Sequence, residues 1–232
     1  MVMDKGLSLN DAKNLVENAG PYIDIVKLGW GTSALTARLE EKIQFYQQND
    51  IAVYFGGTLF EVFAVRNALD QFEALLERYG LQHVEISDGS MEIKLEDKLA
   101  HIRHFAQRYH VLSEVGSKDA TKIMAPYKWV EHIEAELAAG AWRVITESRE
   151  SGSVGVYRSS GEVREGLIDE ILHRVPSEKL IFEAPKKEQQ AFFVKLLGSD
   201  VSLGNIAPEE IIALETLRLG LRSDTFFTFL KA

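Results

Sequence analysis

The stretch Val111–Lys118, VLSEVGSK, decides the fold. The apolar pair Val111 and Leu112 leads to a carboxylate, Glu114, then Gly116, then Lys118. A buried strand that ends in a charge and a glycine is how an α/β enzyme presents chemistry at the rim of its sheet. Four further stretches share this grammar: IVKLGWG (25–31), VEISDGS (84–90), VITESRES (144–151) and IFEAP (181–185). Each is followed by apolar residues at helical spacing.

Working outward, strands are expected at the opening MVMDKG, at Ile23–Gly29, Ile51–Gly57, His83–Ser87, in the VLSEV stretch, and at Arg143–Glu147, Leu180–Glu183 and Val201–Asn205. Between them the apolar positions recur with helical period. Ser8 or Asn10 caps the first helix, and Thr32 or Ser33 the second. A single long helix is expected over Leu59–Tyr79, and Pro126 suits the first turn of another. Eight strand-then-helix units in one even series predict a single-domain (β/α)₈ TIM barrel over residues 1–232, closed by an apolar tail, Phe226–Leu230. An open doubly wound sheet fits less well, because no GxGxxG turn follows the first strand. The tail is expected to dock on the barrel or on a second copy in a homo-oligomer.

A length of 232 residues with 46% hydrophobic and 26% charged residues suits one large core. The net charge of −9 argues against a nucleic-acid surface, but leaves small anionic ligands open. The absence of cysteine excludes disulfides and thiolate metal sites. No apolar run approaches the roughly 18–20 residues of a membrane span, so a cytoplasmic location with no membrane partner is expected. The opening directly on a strand suggests a segment upstream of it.

In a barrel the active site lies at the carboxyl ends of the strands. Those ends carry Asp4, Lys5, Lys27, Glu85, Ser87, Asp88, Glu114, Lys118, Glu147, Arg149, Glu150, Glu183 and Asn205. Alternation places Lys27 with Ile25, Glu85 with Ser87, Glu114 with Leu112, Glu147 with Arg149 and Glu183 with Ile181. Four carboxylates from consecutive strands therefore converge on one mouth. Crowded carboxylates call for a cation, and Mg²⁺, an oxygen-seeking ion, is one answer. A structural network with Lys27, Lys118 and Arg149 is the other. The basic residues Lys5, Lys27, Lys118 and Arg149 point to an anionic ligand. Gly204 and Asn205 before Pro208, and Gly57 in the Gly56–Gly57–Thr58 turn, offer backbone N–H groups to it or serve only as turns. The six histidines form no site: His101 and His104 lack the rest of a zinc-protease motif, and no nucleophile-elbow motif is present.

DKGLS (4–8), YIDIVKLGWGTS (22–33), GGTLFE (56–61), VEISDGS (84–90), EVGSK (114–118), ESRESG (147–152), IFEAP (181–185), NIAPEE (205–210) and ETLRLGLRSDTF (215–226) together resemble the phosphosulfolactate synthase family. The resemblance runs nearly end to end. It implies a (β/α)₈ barrel, a lyase-type enzyme that adds sulfite to phosphoenolpyruvate with the help of Mg²⁺ to give (2R)-phospho-3-sulfolactate. Some members supply coenzyme M biosynthesis and others sulfolactate production; a branch of the wider family is linked to heat-stress tolerance, and the alternative role is a non-catalytic or stress-related member that keeps the barrel and a phosphorylated-ligand site. By resemblance Lys118 is the candidate catalytic acid, with a plain phosphate or sulfite contact as its alternative. Lys5, Lys27, Arg149, Gly57, Ser87, Gly204 and Asn205 are assigned to substrate, and Glu85, Glu114 and Glu147 to the metal or to the groups that surround its ligands. Three departures stand out: Ser117 in place of a second lysine, no segment before the first strand, and a Gly-rich loop at 151–161, expected to close over the substrate.

Overall fold

The computed structural model describes residues 1–91, 93–116 and 124–229. Eight short parallel strands alternate with helices. They are β1 (Val2–Asp4), β2 (Ile25–Leu28), β3 (Ala52–Phe55), β4 (His83–Ile86), β5 (His110–Val115), β6 (Arg143–Thr146), β7 (Leu180–Glu183) and β8 (Leu203–Gly204). Two ladders result, β1-β2-β3 and β4 through β8 in chain order. A parallel bridge from Val2 to Ile206 brings the exit of β8 beside β1, with Met3 N–H donating to the Ile206 carbonyl at 2.9 Å. Among the described residues no ladder joins β3 to β4. The strand-then-helix order is that of the expected TIM barrel.

The helices are α1 (Leu9–Ala19), α2 (Leu39–Gln48), α3 (Gly57–Val65), α4 (Leu69–Arg78), α5 (Leu95–Phe105), α6 (Pro126–Ala138), α7 (Glu165–Arg174), α8 (Lys187–Leu197), α9 (Ile211–Arg218) and α10 (Phe226–Phe229). Ser8 caps α1, its hydroxyl accepting from Asp11 N–H while the Asp11 carboxylate takes Ser8 N–H. The helix expected to start at Thr32 or Ser33 begins only at Leu39. Trp30 and Gly31 adopt left-handed backbone (φ 55° and 66°), and so does Arg38 (φ 56°), so Gly29–Ala34 forms a 3₁₀ turn instead. The expected long helix over Leu59–Tyr79 is two helices, broken where Asn67 takes φ 52°.

Side chains sort into two apolar layers. Outward-facing strand residues such as Val26, Val84, Val111 and Val144 pack under the helices and are fully buried. Inward-facing Ile25, Tyr54, Leu112, Ile145 and Ile181 fill the interior. Burying each of the aliphatic chains among them contributes roughly 1.5–3 kcal/mol. This inner layer is the floor on which the charged strand ends stand. No helix among the described residues is long and apolar enough to cross a membrane. Phe227 of the tail is 82% exposed, so it does not dock on its own barrel.

Candidate active site

Directly above the apolar layer, alternation turns the last inward residue of each strand toward the mouth. Lys27 enters from β2, Glu85 from β4, Glu114 from β5 and Glu183 from β7. The Lys27 ammonium lies 2.9 Å from Glu85 Oε2, 3.4 Å from Glu114 Oε2 and 4.0 Å from Glu183 Oε1. All four residues are under a tenth exposed. Burial opposes the charge on Lys27, but Glu85, Tyr54, Glu114 and Glu183 outweigh it and hold the lysine protonated well above its usual range. Burial pushes the Glu183 carboxyl up to about 7; Lys27 pulls it down, Glu114 and Glu85 push it up, and the Ser148 N–H bond lowers it. Three carboxylates share this one ammonium, which reconciles a strongly charged lysine with a reluctant glutamate.

The floor opens into a cavity of about 480 Å³. Lys27, Glu85, Glu114, Glu147, Glu183, Arg149, Gly57 and Asn205 line it, together with Trp30 and Ser90. Glu147 Oε1 accepts from the Arg149 N–H at 2.5 Å, and Arg149 itself is exposed with φ 55°. Asn205, 6% exposed, takes φ 56°, a left-handed geometry that asparagine tolerates and β-branched residues do not. Gly57 N–H, at the start of α3, donates to Glu85 Oε1 at 2.6 Å, so its donor is already used within the protein.

A larger cavity, of about 800 Å³, lies at the opposite end, lined by Trp142, Arg143 and Arg218 among others. Its arginines are already engaged: Arg143 donates to Ser202, and Arg218 to the carbonyls of Ser199 and Val201. The smaller cavity gathers Lys27 and the carboxylates around it at the strand carboxyl ends, where barrels place their chemistry.

Four of the expected site residues have partners or positions of their own within the protein. Ser87 does not line the cavity; β4 ends at Ile86, and the Ser87 hydroxyl donates to Glu61 Oε1 on α3 at 2.5 Å. Gly204 is a packing glycine, because a methyl there would meet Met1 Cε at 2.6 Å and Ile181 Cγ2 at 2.9 Å. Lys5 stands outside the lining, on the rim, paired with Glu150 at 2.6 Å and 5.0 Å above the Trp30 ring. Glu85 has one oxygen on Gly57 N–H and the other against Lys27. Lys118, the candidate acid, lies outside the described residues.

Among the described residues no set of three carboxylate or imidazole groups is gathered to hold a metal. Mg²⁺ is commonly bound by one or two carboxylates with substrate and water oxygens completing its shell. Glu114 and Glu147, two carboxylates on one cavity wall, fit that donor chemistry.

Several buried ion pairs escaped the sequence reading, one of them made by the strand-end residue Asp4. Asp4 faces the helices and accepts from Lys42 Nζ at 2.8 Å, Tyr46 at 3.3 Å and the Gly6 and Leu7 amides at 2.8 Å. Lys98 and Glu136 form a second buried pair at 2.8 Å. The available signal was a charge inside an apolar helical stripe, as with Lys42 between Leu39 and Tyr46. The 151–161 loop is tied down: Gln189 Nε2 donates to the Gly152 and Gly161 carbonyls, and Tyr157 OH to Glu183 O.

The family model described as (2R)-phospho-3-sulfolactate synthase (ComA) matches residues 1–224. The chain is 45% identical over 230 residues to the phosphosulfolactate synthase of Bacillus subtilis, covering 98% of this chain and 91% of that one. It is 44% identical over 232 residues to that of Methanocaldococcus jannaschii, covering 97% and 92%. Among solved structures, 3-hexulose-6-phosphate synthase from Salmonella typhimurium aligns with TM-score 0.60 at 14% identity, over 95% of this chain and 98% of that one. Thiamine phosphate pyrophosphorylase from Pyrococcus furiosus aligns with TM-score 0.57 at 10% identity, over 99% and 95%. At such identities these likenesses speak for the barrel fold alone. The near-complete matches to the curated synthases speak for more: the chain belongs to the phosphosulfolactate synthase family of enzymes.

Proposed function

We propose that this enzyme adds sulfite to phosphoenolpyruvate, a carbon–sulfur bond-forming reaction of the lyase type, in the cavity above Lys27. The observation that carries the reading is the buried Lys27 ammonium, held charged by three carboxylates at the strand ends and open to the cavity. The ammonium offers a hydrogen-bond donor to one anionic group of the substrate, and the proposed Mg²⁺ would offset the net negative charge of the carboxylates around it.

The sulfite sulfur supplies a lone pair to the methylene carbon, C3, forming the C–S bond. The C2=C3 π pair moves to C2 and on into the carboxylate, and C2 then takes a proton. Lys27 orients an anionic group of the substrate, and Arg149, exposed at the rim, meets a second one. Lys118 is the proposed proton donor to C2, on the strength of the EVGSK resemblance. Glu114 and Glu147 are the proposed holders of Mg²⁺, which as a Lewis acid would stabilise the charge developing on the carboxylate. Trp30 and Ser151 at the cavity edge help exclude water.

The test mixes the enzyme with phosphoenolpyruvate, sulfite and Mg²⁺ and identifies the product by mass spectrometry. The expected result is a 1:1 adduct that retains phosphate, lost in Lys118→Ala and Lys27→Met. Sulfite left unconsumed by the wild-type enzyme would reject the reading. Calorimetric titration of Mg²⁺ into wild type and Glu114→Gln checks the metal assignment independently of turnover.

A further inference from the structure

Lys98 lies on α5 between Leu95 and Ile102, in the stripe that faces the strands, and is 2% exposed. Removing an ammonium from water costs several kcal/mol unless every donor finds a partner. Here three oxygens from three other segments meet it. Asp88 Oδ1, just after β4, accepts at 2.9 Å, and the Glu114 carbonyl on β5 at 2.6 Å. Glu136 Oε1 on α6 pairs with it at 2.8 Å. Burial disfavours its charge, yet Glu136 and Asp88 more than compensate and raise its pKa.

The choice of partners is informative. The Glu114 carbonyl belongs to the residue whose carboxylate faces Lys27, and Asp88 follows Glu85 by three positions. The same post-β4 segment is gripped from its other side by Glu61 on α3, which accepts from the Ser87 hydroxyl and from the Ser90 N–H at 2.6 Å. Lys98 itself does not line the cavity. It stands behind the strands, where it reaches both of their exits at once.

We infer that Lys98 is a positioning residue for the sulfite addition: by clamping the ends of β4 and β5 together, it sets the spacing of Glu85 and Glu114 around Lys27. This rests on the proposed reaction, and it gives a purpose to a buried charge that an apolar residue would replace at less cost to folding.

The test separates folding from rate. Lys98→Met leaves Glu136 buried without its cation and is expected to lower the melting temperature. Lys98→Met/Glu136→Leu removes both charges and should regain most of that loss, since a buried pair is commonly replaceable by apolar residues. Its kcat should nevertheless stay roughly 100-fold low with little change in KM, the scale of a misplacement of about 1 Å. Asp88→Asn, a milder change at a partly exposed partner, should keep its melting temperature and lose about tenfold in kcat. Hydrogen exchange at the Gly57 and Ser90 amides, which read the same geometry without turnover, should accelerate in both variants. Wild-type kcat and wild-type protection in Asp88→Asn, or in a folded double variant, would overturn the inference. If the wild-type enzyme consumes no sulfite, the reaction falls while the exchange result still decides the role of Lys98.

Discussion

Gly57→Ala offers the sharpest probe of how tightly the site is built. A methyl group at this position would lie 2.2 Å from Ser87 Oγ, 2.7 Å from Ser87 Cβ and 2.7 Å from Glu85 Oε1. Ordinary contact begins at 3.4 Å. Ser87 and Glu85 are 0% and 1% exposed, so neither has solvent into which to retreat. The groups must part by about 1 Å in a region packed as densely as a crystal. Overpacking of this kind costs roughly 1–3 kcal/mol, against up to about 1 kcal/mol gained by replacing glycine with alanine in the first turn of α3. With the full gain subtracted, a net loss of up to about 2 kcal/mol follows. The larger effect is on rate. Glu85 carries Lys27, and moving it by about 1 Å should lower kcat on the order of 100-fold. Denaturant unfolding measures the first quantity and sulfite-consumption kinetics the second. A Gly57→Ala enzyme with wild-type stability and wild-type kcat would refute the claim that the β4 exit holds Lys27 rigidly.

Three further expectations follow from the same geometry. Lys42→Met leaves the fully buried Asp4 without its cation, keeping only the Tyr46 and backbone donors, and should cost about 3 kcal/mol by denaturant unfolding; an unchanged midpoint would mean that those donors suffice. His83 packs against His110 and edge-on against Trp142 at the amino end of the barrel, and burial followed by repulsion from His110 lowers its pKa to about 4. Between pH 4 and 6.5 the unfolded chain therefore binds the proton that the folded chain refuses. His83 thus lends stability that is present above pH 6.5 and lost as pH falls toward 4, and His83→Gln should flatten that part of the stability profile. At Asn205, Ala should cost roughly 1 kcal/mol through its left-handed backbone and Gly much less; equal loss of kcat in both would assign the amide side chain to substrate.

The barrel was legible because short, mostly apolar segments ending in a charge alternated with stretches of helical period. The convergence of Lys27, Glu85, Glu114 and Glu183 was legible too, since alternation on parallel strands fixes which face a side chain takes. What alternation could not supply was where a strand stops. Ser87 shares the parity of Glu85, yet the chain leaves the sheet at Ile86 and turns the hydroxyl to Glu61. Gly204 read as a turn donor because nothing local reveals that Met1 and Ile181 press against it from distant parts of the chain. The break at Asn67 and the 3₁₀ turn over Gly29–Ala34 rest on left-handed residues with only weak sequence marks. Lys42, Lys98 and Glu136 were passed over because a charge on a helix is ordinarily solvated. Their burial follows from partners contributed by other elements, a tertiary fact that periodicity does not encode.

The central claim is that an anionic substrate is held at the carboxyl end of the barrel by Lys27. A crystal structure with phosphoenolpyruvate and Mg²⁺ tests it most directly. The account predicts ligand density in the cavity between Lys27, Arg149 and Asn205, with a carboxylate or phosphate oxygen within hydrogen-bond distance of Lys27 Nζ. Ligand seated instead in the larger cavity beside Arg143 and Arg218, with the Lys27 cavity empty, would contradict it.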